Sequence, residues 1–313
     1  MEVIRDIDWC PKPEKGCVVT IGQYDGVHRG HRAVVSEMHR IAAELNARTA
    51  VVTFDVHPAT VVRPESAPLQ LSDLEQKLEL LAETGVDYVL VITFDQRQAS
   101  MEAADFVDQV LIECLNAKAV VVGEDFHFGK GRGGNVSTLT KMGADLGFEV
   151  MGLPLVKQAT SEGETISSTA IRAALSAGDV AKAQRLLGRP YEVRGTVSPG
   201  DRRGRTIGFP TANVPTDART QLPAEGVYAA IYERPDGSKH KAAVNIGRRP
   251  TFYEFVDRPL IEAHLIGFRG DLYDEEAKVR FVQRLRGEKR FDGIDELKAQ
   301  LELDIAAASE ALR

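Results

Sequence analysis

The segment Gly22-Gln23-Tyr24-Asp25-Gly26-Val27-His28-Arg29-Gly30-His31 places two imidazoles around one glycine, in the spacing H-x-G-H. That arrangement suits a phosphate ligand. The glycine has no Cβ, so the backbone can come close, and the N–H groups of a following helix start favour an anion. Two ring N–H groups beside them can donate to phosphate oxygens as charge builds in a transition state. The plain alternative is two solvent-facing histidines on a turn; a strand before them and a helix after them weigh against it. Further on, Thr165-Ile166-Ser167-Ser168-Thr169-Ala170-Ile171-Arg172 sets hydroxyls ahead of a helix and a cation on its first turn. It reads either as an ordinary N-cap or as a second phosphate clamp. A third segment, Gly200-Asp201-Arg202-Arg203-Gly204-Arg205-Thr206-Ile207-Gly208-Phe209-Pro210-Thr211-Ala212-Asn213, can wrap phosphates with its backbone N–H groups. Thr211 and Asn213 then offer hard oxygens for Mg²⁺, which keeps several waters and also binds substrate phosphates. A flexible basic surface loop would explain the glycines but not the P-T-A-N end.

These segments need elements to hold them. In the first half short apolar runs alternate with helical periodicity. Val18–Ile21, Ala50–Phe54, Tyr88–Ile92, Ala119–Val122 and Phe148–Met151 read as strands. Val34, Val35, Met38, Ile41, Ala42 and Leu45 recur at helical spacing, as do Leu74, Leu78 and Leu81, and Met101 to Leu115 is expected to be helical. Strand–helix alternation implies an α/β fold with a mostly parallel sheet covered on both faces. Ligands of such sheets sit beyond the carboxyl ends of the strands, which points to the loop after Ile21. A helical bridge from Thr169 to Leu187 ends in Gly188-Arg189-Pro190, so domains of 1–187 and 188–313 are expected. Beyond it Tyr191–Val197, Val227–Tyr232, Ile261–Leu265 and Ala277–Val282 alternate as half-buried strands do. They suggest a small antiparallel barrel, with a last helix from Ile294 to Leu312 packed on it.

Composition narrows the function classes. The 313 residues carry Lys+Arg 39 against Asp+Glu 46, a net charge of −7, which argues against a nucleic-acid coat. Hydrophobic residues at 43% and charged residues at 27% are ordinary for a globular chain. No run approaches the roughly 20 apolar residues of a membrane helix, and the N-terminus lacks a signal-peptide pattern. Cys10, Cys17 and Cys114 are sparse and unsuited to a zinc site, so a reduced cytoplasmic protein is expected.

The H-x-G-H loop together with S-S-T-x-I-R resembles the nucleotidylyltransferase superfamily. More specifically, I-G-Q-Y-D-G-V-H-R-G-H, T-F-D-V-H-P and V-G-E-D-F-H-F-G resemble the bacterial FAD synthetases, which are bifunctional riboflavin kinase/FMN adenylyltransferases. The likeness runs from about Cys17 to Ile305. It implies a Rossmann-like nucleotidylyltransferase domain followed by a β-barrel riboflavin kinase domain with a terminal helix. The first would transfer AMP from ATP to FMN, giving FAD and pyrophosphate. His28 and His31 match the family's nucleotide-phosphate histidines, within a loop whose Gly22, Asp25 and Gly30 join the ATP site. Ser168, Thr169 and Arg172 match its second phosphate motif, and Asp125 falls where the family has a polar side chain. His57 and Phe128 lie in segments that line the flavin region, although Phe128 is equally suited to core packing.

In the second half G-x-x-x-G-F-P-T-A-N resembles the riboflavin kinase signature. It implies ATP contacts at Gly200, Gly204, Arg205, Gly208, Thr211 and Asn213, with Mg²⁺ at Thr211 and Asn213. Asn245-Ile246-Gly247-Arg248-Arg249-Pro250-Thr251-Phe252 matches a loop near the flavin, giving Asn245 and Arg249 as flavin contacts. Glu262 matches the catalytic base that takes the proton of the riboflavin 5′-hydroxyl; spacing alone would make it the wet face of a strand. Departures are Gln23-Tyr24 where an apolar residue and Phe are usual, Val56 in place of a proline, and Ser198-Pro199 where a histidine often precedes the glycine loop. ATP, Mg²⁺ and the flavins are thus the expected small-molecule ligands, with no nucleic acid and no membrane. The competing readings are a nucleotidyltransferase for another acceptor, which the P-T-A-N barrel opposes, and a degenerate flavin-binding or RNA-binding relative. Oligomeric state is not legible.

Overall fold

The computed structural model describes residues 1–5, 7–154, 163, 165–200, 203–248 and 259–313, with only the backbone at Asp8, Arg203 and Arg205. The chain divides into two compact units, Met1–Ser168 and Thr169–Arg313.

The first unit runs β1 (Glu2–Ile4), β2 (Cys17–Ile21), α1 (Arg29–Leu45), β3 (Arg48–Phe54), α2 (Leu74–Ala82), β4 (Tyr88–Ile92), β5 (Ala117–Gly123), α3 (Val136–Leu146) and β6 (Glu149–Leu153). The strands form one parallel sheet in the order β1-β4-β3-β2-β5-β6. Strand residues alternate between two apolar cores. Val18, Val51, Val89 and Val121 pack with Val35, Met38 and Leu81, while Val19, Val52, Leu90, Val120 and Val122 pack with Leu111, Leu115 and Leu139. A sheet buried on both faces explains why these strands read as unbroken apolar runs. The order reverses at β2, between β3 and β5, and such a switch point opens a crevice at the carboxyl ends. Between β4 and β5 the expected helix is a turn, Ala103–Phe106, continuing into a π-helical stretch, Val107–Cys114.

One expectation is corrected here. Cys10 and Cys114 are joined by a disulfide, with Cα atoms 4.9 Å apart across a sequence separation of 104. Spacing along the chain cannot show such a pair, because only the fold brings the Cα atoms within bridging range. Cys17 is the free cysteine; burial pushes its thiol up to about 12.

The second unit begins with the helical bridge, broken near Gly178 (φ 76°) into α4 (Ser168–Ser176) and α5 (Val180–Leu187). It continues with β7 (Tyr191–Thr196), β8 (Ala212–Val214), β9 (Gly226–Glu233), β10 (Lys239–Gly247), β11 (Leu260–Leu265), β12 (Glu276–Arg286) and α6 (Ile294–Ala311). These strands form an antiparallel sheet in the order β8-β11-β10-β9-β12-β7, and a bridge between Ser198 and Asn213 brings its two edges together. The expected halves divide after Leu187, whereas the compact units divide after Ser168. The difference is the bridge helices, which pack on the barrel: Ala224 N–H donates to the Leu175 carbonyl at 2.9 Å, and Gln221 Nε2 to Ser176 Oγ at 3.3 Å. At the far end α6 is tied down by Asp304, 4% exposed, whose carboxylate takes two bonds from Arg286, 2.9 and 2.7 Å long. Among the described residues no helix is long and apolar enough to cross a membrane.

Candidate functional site

At the carboxyl end of β2, His28 is the N-cap of α1. Its backbone is extended (φ −75°, ψ 174°), and its Nδ1 accepts the His31 backbone N–H at 3.3 Å. An imidazole accepting at Nδ1 carries its proton on Nε2 in the neutral form, so its N–H donor is Nε2. The His28 and His31 rings stack with centroids 3.6 Å apart and planes 15° apart. Tyr24 lies against His31 at 4.6 Å, and its hydroxyl donates to Thr20 Oγ1 at 2.8 Å. The tyrosine therefore does the packing expected of a Phe there and satisfies its added hydroxyl internally. Gly30 is required by this stack: a Cβ there would lie 3.0 Å from His28 Cε1 and 3.1 Å from Nδ1.

The loop is strained. Tyr24 (φ 52°) and Val27 (φ 36°) are non-glycine residues in the left-handed region, costly above all for a β-branched side chain. Backbone anchors hold it. The Asp25 carboxylate, 3% exposed, accepts Leu71 N–H at 2.9 and 3.1 Å and Ser72 N–H at 3.1 Å. Gly26 N–H donates to Ser72 Oγ at 3.0 Å. Asp25 thus shapes the loop, with its carboxylate turned to the 71–72 backbone. Its carbonyl accepts Ser168 Oγ at 3.0 Å, so the S-S-T segment touches the H-x-G-H loop. Thr169 is exposed, and Arg172 sits one turn along α4 on the face of Ser168. Gly22 closes β2, its N–H on the Val52 carbonyl at 3.0 Å.

The neighbouring loops supply the other expected residues. His57 follows β3, and its Nδ1 accepts Ala59 N–H at 3.1 Å, which again puts the proton of the neutral ring on Nε2. Val56 N–H donates to Asp55 Oδ1 at 2.7 Å, a bond the family's proline could not make. After β5, Asp125 is exposed. Phe128 is 8% exposed and part of the core; its ring stacks with Phe126 at 5.5 Å and meets Phe106 at 5.9 Å. The partly buried Phe126, passed over in the sequence, is the outer ring of that stack.

The barrel carries a second constellation. In the strand register Asn213 on β8 lies opposite Glu262 on β11, and Glu262 lies opposite Asn245 on β10. Directly paired residues share a face, with Cβ atoms about 4.5–5.5 Å apart, so an amide, a carboxylate and an amide form one row across three strands. Asn245 therefore belongs to a strand and not, as expected, to a loop. Ahead of β8 the expected open glycine loop is in part a helical turn, Arg203–Thr206. The Gly204 carbonyl accepts Phe209 N–H at 2.8 Å, and Gly208 takes a φ of 95°. Thr211 Oγ1 lies 3.6 Å from where a Gly204 Cβ would be. Gly200 is half-buried. The side chain of Arg205, and Arg249 altogether, lie outside the described residues. Thr211, Asn213 and Glu262 are hard oxygen donors suited to Mg²⁺. Among the described residues no three His, Cys, Asp or Glu cluster as a metal site, so an ion here would rely on substrate phosphates and water. A cavity of about 210 Å³ lies beside Thr211, walled by Pro210, Thr211 and Ala212 on one side and by Phe268 to Tyr273 on the other; Ala212 and Ala263 line it, next in sequence to Asn213 and Glu262, which do not.

Comparison with known proteins matches the same two regions. Residues 10–170 match the FAD synthetase family and residues 187–312 the riboflavin kinase family. A protein of Escherichia coli (strain K12) described as a bifunctional riboflavin kinase/FMN adenylyltransferase is 40% identical over 311 residues, 99% of this chain and 97% of that one. One of the same description from Bacillus subtilis (strain 168) is 40% identical over 299 residues, 95% and 92% of the two chains. A crystal structure from Streptococcus pneumoniae, titled a macrolide-efflux protein, aligns over 98% of each chain at 31% identity and a TM-score of 0.85.

Proposed function

The chain belongs to the bifunctional riboflavin kinase/FMN adenylyltransferases, and we propose how its own residues divide the two reactions. It phosphorylates riboflavin with ATP to give FMN, and adenylylates FMN with a second ATP to give FAD. We assign adenylylation to residues 1–187 and phosphorylation to residues 188–313. The helices between them carry Ser168, Thr169 and Arg172 for the first reaction while packing on the barrel of the second. The partners are its small-molecule substrates.

In adenylylation an FMN phosphate oxygen forms a bond to the α-phosphorus of ATP as the bond to pyrophosphate breaks. The imidazoles of His28 and His31 donate to the oxygens on which charge grows, and Ser168, Thr169 and Arg172 hold the departing phosphates. Gly22, Gly30 and the Asp25-shaped loop let the nucleotide approach the backbone. His57 and the segment around Phe128 hold the flavin, and Asp125 joins the ATP contacts. In phosphorylation the Glu262 carboxylate takes the proton of the riboflavin 5′-hydroxyl as that oxygen attacks the γ-phosphorus and ADP leaves. Gly200, Gly204, Arg205 and Gly208 wrap the ATP phosphates, and Asn245 and Arg249 face the flavin. Thr211 and Asn213 would hold Mg²⁺, which when bound neutralises phosphate charge.

The observation that carries the reading of the first site is the stacked His28–His31 pair at the carboxyl end of β2. The double variant His28→Ala/His31→Ala should lower adenylylation of FMN by at least about 10²–10³-fold, the usual cost of one directed donor, and leave riboflavin phosphorylation intact. Chromatography of the flavin products measures both reactions at once. Adenylylation within threefold of the unaltered protein would remove the two histidines from the mechanism.

A further inference from the structure

Lys77 on α2 is 2% exposed, a rare place for an ammonium group. Its Nζ donates to the Phe54 carbonyl, the last residue of β3, at 2.9 Å. The charges acting on it are Asp25 and Asp55, each on a loop of the adenylyl-transfer site. Those loops tie back to the same place. Asp25 and Gly26 bond to Leu71 and Ser72, which lead into α2. Asp55 N–H donates to the Ile92 carbonyl at 3.1 Å, and Asp55 Oδ1 accepts Phe94 N–H at 2.9 Å. The ends of β2, β3 and β4 therefore meet around one buried cation. Burial holds its ammonium down to about 8, against the upward pull of the two carboxylates.

Packing alone does not account for a lysine here. A methionine of similar length would fill the space without the cost of burying a charge. Both carboxylates already have backbone N–H partners, so the fold does not need the cation to satisfy them. A cation that offsets Asp25 and Asp55 matters most when polyanionic substrates approach the two loops that carry them.

We propose that Lys77 is a positioning residue for adenylyl transfer: its ammonium fixes the end of β3 against the Asp25 turn and offsets Asp25 and Asp55, so that the two loops can receive anionic substrates. The inference rests on the assignment of adenylylation to this site. Unit charges several ångströms apart in a partly desolvated site interact strongly enough that losing one should change binding about 10–100-fold.

The test is Lys77→Met in the full chain, with riboflavin phosphorylation as internal control. The KM values for ATP and FMN in adenylylation should rise, lowering kcat/KM about 10–100-fold, with a smaller change in kcat. The Phe54 carbonyl loses its donor and Asp25 its counter-charge, so the melting temperature should fall, but the variant should remain folded at the assay temperature. In the unaltered protein, kcat/KM for adenylylation should fall as pH passes about 8, where the ammonium loses its proton, and that limb should be absent from the variant. Adenylylation within threefold of the unaltered protein overturns the proposal. So does a variant unfolded at the assay temperature, which would account for the lost activity and make Lys77 structural, or a level profile from pH 7 to 9.5 in the unaltered protein. An unaltered protein that phosphorylates riboflavin yet never adenylylates FMN would instead overturn the site assignment beneath it.

Discussion

Gly30→Ala separates stability from activity at the H-x-G-H loop. The residue lies in the first turn of α1, where alanine is worth up to about 1 kcal/mol over glycine in helix propensity. Stability should therefore hold or improve. The added methyl carbon would sit 3.0 Å from His28 Cε1, 3.1 Å from Nδ1 and 3.4 Å from the Ile166 carbonyl oxygen. These distances are tighter than ordinary van der Waals contact, so the ring must give by a few tenths of an ångström. Its other face is covered by His31 at 3.6 Å, so any escape tilts the stack and stretches a bond to His31 N–H that is already 3.3 Å long. A misplacement of about 1 Å can cost 10²-fold in rate. A shift of a few tenths costs less, so we expect adenylylation to fall by up to about 10-fold, with riboflavin phosphorylation unchanged and the melting temperature equal or higher. Coupled thermal melts and flavin chromatography measure all three. Full adenylylation in a well-folded variant would show that the ring position carries little of the catalysis.

Glu262→Gln should lower riboflavin phosphorylation about 10²–10⁴-fold, the range for a lost general base, and leave adenylylation of supplied FMN unchanged; a loss below fivefold would assign the carboxylate to binding alone. The Cys10–Cys114 bond closes a loop of roughly 100 residues, worth about 4.7 kcal/mol on chain-entropy grounds. Cys10→Ser, or a strong reductant, should then lower the melting temperature of the first unit by on the order of 10 °C; identical melts would show that the bond does not form in solution. A 169–313 fragment should melt higher than a 188–313 fragment, because the shorter one loses the Leu175 and Ser176 contacts with Ala224 and Gln221; equal melts would make the bridge helices dispensable to the barrel.

Some of this architecture was legible because its signals are local. The strands β2 to β6 are apolar on both faces, and the two histidines and their glycine lie within four residues, followed at once by a helix. The loop's anchors were not legible. Asp25 reads as a ligand contact in its motif, and only the fold brings Leu71 and Ser72, 46 and 47 residues away, onto its carboxylate. The same holds for Lys77, which in the sequence is one cation on an amphipathic helix and in the fold a buried charge. The strand β10 was missed because its Ala242 and Ala243 give weak alternation and its end had been read through the motif as a loop.

The barrel site shows how register, more than residue type, makes chemistry. Asn213, Glu262 and Asn245 come from segments whose spacing carries no common signal, and Glu262 alone reads as the wet face of a strand. Antiparallel pairing of β8 with β11 and of β11 with β10 sets all three in one row. A slip of one residue in either pairing would turn part of the row to the opposite face of the sheet. Ser198 N–H, donating to the Asn213 carbonyl at 3.0 Å where the two edges meet, is one restraint against such a slip. The residues where the family often has a histidine thus keep a structural duty through the backbone of Ser198, which does not depend on the side chain. The face to which we assign phosphorylation is in this sense fixed by the same hydrogen bonds that close the barrel.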